Sequence, residues 1–182
     1  NKMKALKLVF LADRFHLRKY GRLVTNDTYL AMQHGPVPSI TKDIAESNDF
    51  LGEIERDYSL QYIDPVNNLT LASKKGVDVS VLSDSDMEAL RFAWNAFGQY
   101  NQFQLRDITH SYPEWIKQKE HALPGACSPM NLLDFLLDPA EPVDDRLSLD
   151  AEVHKTFPLD DEGRRIRSED IIEKSLVEAL WR

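Results

Sequence analysis

Residues 3–17 are apolar on nearly every side of a helix, and that leaves the chain few ways to fold. Met3, Ala5, Leu6, Leu8, Val9, Phe10, Leu11, Ala12, Phe15 and Leu17 leave little polar face. Such a helix belongs inside a core, with other elements wrapped round it. Arg18 and Lys19, followed by Gly21, supply an ordinary stop. Cations suit the carbonyl end of a helix, and glycine takes the left-handed position just beyond it. Further on comes Gly35-Pro36-Val37-Pro38, a rigid corner in which neither proline has an N–H to satisfy. A buried helix over about residues 2–20, a glycine turn, a short segment and a proline corner make a unit on which other helices pack.

The rest of the chain supplies those helices. Asn26 or Asp27 is placed to cap a short helix or turn, with Tyr29, Leu30 and Met32 on its apolar side. A further helix is predicted from Pro38 or Ser39 to about Asn48, with Ile40, Ile44 and Ala45 inward. Tyr58 to Ile63 and Leu69 to Ala72 are rich in strand formers, and Asp64-Pro65-Val66-Asn67-Asn68 between them is turn chemistry. That predicts one β-hairpin, leaning on the helices because a lone hairpin is marginal in water. Ser83 with Asp86 three residues on opens a helix whose stripe Met87, Leu90, Trp94 and Phe97 reads as core. Short helices follow at Leu105 to His110 and from Pro113, which carries Trp115. Ser128 and Pro129 read as the cap and first residue of a helix to about Leu137. Ser168-Glu169-Asp170 opens a final helix with Ile171, Ile172, Leu176, Ala179 and Leu180 on its apolar face and Trp181 at its end.

The expected fold is mainly α with a small β-hairpin. At 182 residues and 42% hydrophobic content the chain suits one domain with a real core. We read a compact helical domain over residues 1–122. The C-terminal extension, 123–182, holds an acidic loop and the final helix, packed on the same domain. No apolar run approaches a membrane span, and charges at Lys4, Lys7, Asp13 and Arg14 break any signal-peptide pattern. The lone cysteine, Cys127, excludes an internal disulfide and fits a reducing cytoplasm.

Candidate chemistry is sparse. His110, His121 and Cys127 form no close metal-binding pair, and no glycine-rich phosphate loop is present. No catalytic residue, metal or cofactor is expected. Asp13, Arg14 and His16 stand out as charged or polar residues on an apolar helix. Asp13 and His16 share a face. Asp13 is expected to satisfy buried backbone or pair with Arg14, holding the Gly-Pro-Val-Pro corner. Net charge is −8, yet residues 1–35 carry +5 and residues 138–162 carry −7. The overall acidity argues against general nucleic-acid binding and suits a basic protein partner.

The runs Lys7-Leu8-Val9-Phe10-Leu11-Ala12-Asp13-Arg14, His16-Leu17 and Tyr20-Gly21 resemble the opening of the Panacea, or antitoxin SocA-like, family. The likeness continues through Asp27-Thr28-Tyr29, Ala31-Met32 and Gly35-Pro36-Val37-Pro38. Leu23-Val24 and Asn26 depart mildly from the family pattern, where Pro-Ile and Gly are frequent. A later block, Leu105 to Thr109-His110 and then Trp115, is similar to the family's Thr-His…Trp element. The resemblance covers about residues 3–120. It implies a compact helical antitoxin module that is not an enzyme. It would neutralise a cognate toxin protein by direct contact, with no small-molecule substrate. RelA/SpoT-like nucleotidyl transferases are among the toxins so paired, and one relative is an adaptor that delivers its toxin to a AAA+ protease.

The extension is where this chain departs from that pattern. Its acidic tract, with Asp144, Asp145, Asp160 and Asp161, and the last helix with Trp181 are expected to set partner specificity. Deleting residues 138–182 is then expected to weaken toxin binding and leave the core folded. The competing reading is a DNA-binding autorepressor on operator DNA, with the +5 segment on phosphates and the hairpin as a wing. Enzymatic turnover dependent on His16, His34 or His110 would point to a third class.

Overall fold

A computed structural model describes residues 1–140 and 149–180 of the chain. The first helix, α1, runs Lys2–Tyr20 and ends at Gly21, whose φ of 78° is the left-handed stop. Phe10 and Leu11 at its centre are fully enclosed. Phe10 meets the rings of Tyr29, Tyr112 and Phe135 at 5.5–5.8 Å. These edge-on aromatic contacts join α1 to three later parts of the chain.

After α1 come two strands, β1 (Tyr29–Met32) and β2 (Gly35–Pro38), paired antiparallel with Tyr29 opposite Pro38. The expected helix or turn over 27–32 is therefore a strand. Tyr29 and Ala31 point inward while Leu30 and Met32 are half-buried, a period of two that a four-residue apolar run cannot distinguish from helix. A third short strand, β5 (Ser128–Pro129), pairs with the other side of β1, giving the order β2-β1-β5. The prolines of β2 sit on an edge, where a missing N–H breaks no ladder.

Helix α2 (Ser39–Glu46) follows directly, with Ala45 buried but Ile40 largely exposed. A helix the sequence reading missed, α3 (Glu53–Ser59), precedes the hairpin of β3 (Ile63–Asn67) and β4 (Thr70–Ser73). The hairpin exists, but shifted: Pro65 lies within β3 rather than in the turn. Its tip leans on α1 through Lys2 N–H to the Leu69 carbonyl, 2.9 Å.

Helix α4 (Asp84–Phe97) lies along α1. Ser83 and Asp86 form the expected reciprocal cap. Its buried stripe is Asp86, Ala89, Ala93 and Phe97, whereas Trp94 is exposed. The two alanines, not the large residues, let the helices approach. Helices α5 (Gln102–His110) and α6 (Pro113–Ile116) follow as expected. The predicted helix from Pro129 is instead β5 and a 3-10 turn over Leu132–Leu136 capped by Asn131. Beyond it stand α7 (Ala151–His154) and the long α8 (Asp161–Leu180), which starts seven residues before the sequence signal at Ser168. Asp144, Asp145 and Trp181 lie outside the described residues. Among the described residues no helix is long and apolar enough to cross a membrane.

Candidate functional site

Helix α1 buries six charged or titratable side chains, Lys2, Lys7, Asp13, Arg14, His16 and Arg18, and Asp27 is buried in the loop beyond it. Each of those that the sequence reading singled out has a structural partner. Asp13 accepts from the N–H groups of Val24 (2.7 Å) and Thr25 (3.0 Å), the Thr25 hydroxyl and the Tyr29 hydroxyl (2.7 Å). Burial pushes its carboxyl up, and these four bonds pull it back down. Asp13 thus pins residues 24–29. It does not pair with Arg14, nor does it hold the Gly-Pro-Val-Pro corner. His16 turns elsewhere, with Nδ1 at the Arg22 carbonyl (2.8 Å) and Nε2 at the Ser85 hydroxyl (3.0 Å). The carbonyl fixes the Nδ1 proton on the ring. Asp27 accepts from the N–H groups of Ile40 (2.9 Å) and Thr41 (2.7 Å), so it caps α2 from the far side of the hairpin.

Arg14 and Arg18, one turn apart, reach the extension. Arg14 donates to Glu114 (2.7 Å), the Leu137 carbonyl (2.6 Å), the Lys155 carbonyl (2.7 Å) and the Thr156 hydroxyl (2.7 Å). Its guanidinium also lies 4.2 Å over the Tyr112 ring. Arg18 donates to the carbonyls of Phe135 (3.0 Å), Leu137 (3.1 Å) and Phe157 (2.7 Å) and to Asp138. Burial, then the neighbouring Arg14 charge, pushes Arg18 down to about 10, with Asp138 opposing. Glu114 is fully enclosed, and burial raises its carboxyl against the pull of Arg14. Thr156 and Phe157 hold positive φ angles, 60° and 137°, at the point where the guanidiniums grip. Strained backbone of that kind persists where surrounding bonds over-determine it.

The remaining motif residues meet at the corner. Lys7 Nζ donates to the Pro36 carbonyl at 2.7 Å. Gly35, at φ 98°, lies so close that a Cβ there would stand 2.7 Å from Lys7 Nζ and 2.9 Å from the Thr109 hydroxyl. His110 stacks on Trp115 at 3.7 Å, and Trp115 Nε1 donates to the Met32 carbonyl at 3.0 Å. Burial, with the Lys7 charge behind it, pushes His110 down to about 4. So Lys7, Gly35-Pro36, Thr109-His110 and Trp115, spread over 109 positions of sequence, form one contact set. Val37 and Pro38 complete the edge strand beside it.

The sequence model of the family described as "Antitoxin SocA-like, Panacea domain" matches residues 6–116. The chain belongs to that family. No curated protein and no solved structure matches the chain. The Panacea region therefore contains every motif residue just described, and apart from the Arg14–Glu114 pair its two arginines spend their hydrogen bonds on residues beyond the matched span.

Of the acidic residues expected to face a partner, Asp160 accepts from the Gly163 N–H (2.7 Å) at the start of α8, which is a capping job. Asp161 is exposed next to it. The apolar residues of α8 are more informative. Its first half is tied down by Arg167 to the Lys19 carbonyl (2.7 Å) and by Arg164 to the Leu136 carbonyl (3.2 Å), with Ile171 against the core. Past Ile171, Lys174, Ser175 and Glu178 line the groove against the Panacea core, while Ile172, Leu176, Val177 and Leu180 face solvent. Leu176 and Leu180 are 63% and 83% exposed. Every residue from 172 to 180 is exposed, Lys174 and Glu178 included, so this half of α8 leaves four large apolar side chains in water instead of packing them on the core. Arg18 was read only as part of the helix stop, and Glu114 and Thr156 were given no role in the sequence, although a second arginine four places after Arg14 was a visible signal. Among the described residues no three His, Cys, Asp or Glu side chains stand close enough to hold a metal ion, and Cys127 is exposed.

Proposed function

We propose that this Panacea protein is an antitoxin that neutralises a cognate protein toxin by direct contact, without catalysis of its own. The outward apolar stripe of α8, Ile172-Leu176-Val177-Leu180, carries the reading. Four large apolar side chains at helical spacing on an open face are a helix-in-groove recognition surface. Glu173 and Glu178 against Lys174 give that half of the helix a net charge of −1, which leans toward a basic partner. A basic, RNA-directed toxin such as a RelA/SpoT-like nucleotidyl transferase fits that description.

The DNA-binding alternative loses its main support. The +5 balance of residues 1–35 is spent inside the molecule: Lys4 on the Gly98 carbonyl, Lys7 on Pro36, Arg14 and Arg18 on the extension, Lys19 on Glu88 and Arg22 on Asp86. Cations already bound cannot release counterions from a phosphate backbone.

The test is co-purification of the tagged chain with the product of the adjacent reading frame, scored with growth rescue. A stable complex that relieves toxicity, both lost in Leu176→Asp, is the expected result. Rescue without a complex would replace direct neutralisation by a protease-adaptor role. A rescue that survives Leu176→Asp with the complex intact would move the contact off α8.

A further inference from the structure

A cavity of about 370 Å³ opens between the start of α1, the β1–β2 hairpin, the tip of the β3–β4 hairpin and the start of α5. That is within the roughly 300–1,000 Å³ range of small-molecule sites. Its walls are apolar: Met3, Leu6, Met32 and Val37 within, Leu69 and Phe103 at the rim. Leu69 and Phe103 are 70% and 53% exposed, so the rim is open and greasy. None of α8 lines it.

Two lysines stand in this apolar setting. Lys7 is 1% exposed and Lys2 8% exposed, and both line the cavity. Among the described residues, neither has a carboxylate partner. Lys7 has one hydrogen bond, to the Pro36 carbonyl, for its three donors. Lys42 and Glu46, also on the lining, are paired with each other at 2.7 Å and offer no compensation. Buried charges are normally paired, so two buried lysines in an apolar lining favour an anion with an apolar body.

We propose that this cavity binds a small amphiphilic carboxylate of the medium-chain fatty-acid class. The tail lies between Leu6, Met32 and Phe103, and the carboxylate takes the spare donors of Lys7 and the charge of Lys2. Burial lowers the Lys7 amine from its usual range, and a carboxylate beside it would oppose that shift. The inference does not depend on the antitoxin reading, because it uses no part of the α8 surface.

Titration calorimetry of the full chain with decanoate below its micelle concentration tests it, with decanol as the uncharged control. Lys7→Met removes the charge at similar volume. Phe103→Asp, at an exposed position that cannot unfold the core, places a repelling charge at the rim. One-to-one saturable binding is expected, weakened at least about tenfold by either substitution and for decanol relative to decanoate. Absence of saturable binding, equal binding of decanol, or unchanged binding in Phe103→Asp would overturn the proposal.

Discussion

Helices α1 and α8 are nearly equal in length, 19 and 20 residues, and are built in opposite senses. The first hides lysine, arginine, aspartate and histidine and gives each hydrogen-bond partners. The last, over its second half, leaves isoleucine, leucine and valine in water beside its lysine and glutamates. A helix that spends most of its charges inside is a scaffold, since Lys7, Asp13, Arg14 and Arg18 each tie down another segment. A helix that leaves its apolar residues unspent has contact energy still available to another molecule. The difference separates the part of this antitoxin-family chain that makes the fold from the part we propose as the partner surface.

The sharpest way to break that comparison is at Arg14. Replacing it by methionine leaves Glu114 buried and unpaired and strips three further acceptors on the extension. A loss of about 3–5 kcal/mol is expected in urea denaturation. Adding Glu114→Leu should recover a large part of it, because removing both charges leaves no orphan. A loss below about 1 kcal/mol for the single change would mean that α1 is not the scaffold described.

Asp13→Ala comes next. It leaves the Val24 and Thr25 N–H groups and the buried Tyr29 hydroxyl without their acceptor, for an expected loss of about 1–3 kcal/mol. Hydrogen exchange should rise first at Val24 and Thr25, the two amides it holds.

A pH titration gives a smaller effect of known sign. His110 and His154 are each held near 4 by burial, against about 6.5 for an unfolded histidine. Both are neutral in the folded protein, so stability is complete above about pH 6.5. As pH falls from there toward 4 the unfolded chain takes up two protons that the folded chain refuses, and stability drops. His154→Gln should flatten that slope. An unchanged slope would place His154 in water rather than against the Ser111 hydroxyl, where its Nε2 lies at 2.8 Å.

The smallest expected change in stability sharpens the other half of the comparison. Leu176→Asp should shift unfolding by no more than about 0.5 kcal/mol, because the side chain touches little. The same change should abolish toxin capture. A large stability loss would show that the outer face of α8 is core after all.

How much of this was legible beforehand follows from where each residue finds its partner. Helix α1 was plain because its apolar run is nearly continuous, and Gly21 marked its end. Asn26 or Asp27 was expected to cap a helix or turn at Tyr29–Met32; that stretch is a strand, and Asp27 caps α2 instead, beyond the intervening hairpin. β1 was misread because Tyr29-Leu30-Ala31-Met32 is too short for periodicity to separate strand from helix. The start of α8 was missed because Asp161 to Arg167 is almost wholly charged and contains Gly163. The corner set was half visible: its motif blocks could be picked out, but not that Lys7 would sit under Gly35 or His110 on Trp115. The acceptors of Arg14 and Arg18 lie about 100 to 142 positions away, and no local pattern announces a bond across that span.

That span also bears on how the protein is made. A ribosome releases α1 well before residues 135–157, and its two guanidiniums must wait for those residues before they can be enclosed. Until then α1 cannot bury its own charged face, so closure of this assembly waits for them. A chain cut at 138 would keep Glu114 for Arg14 but lose the Lys155, Thr156, Phe157 and Asp138 acceptors, and is expected to stay open rather than yield a tidy core. Partner binding is therefore better separated from folding by a cut after Ile171, which spares both arginines. A proteolytic nick between 138 and 157 would act as a switch on the lifetime of the whole molecule.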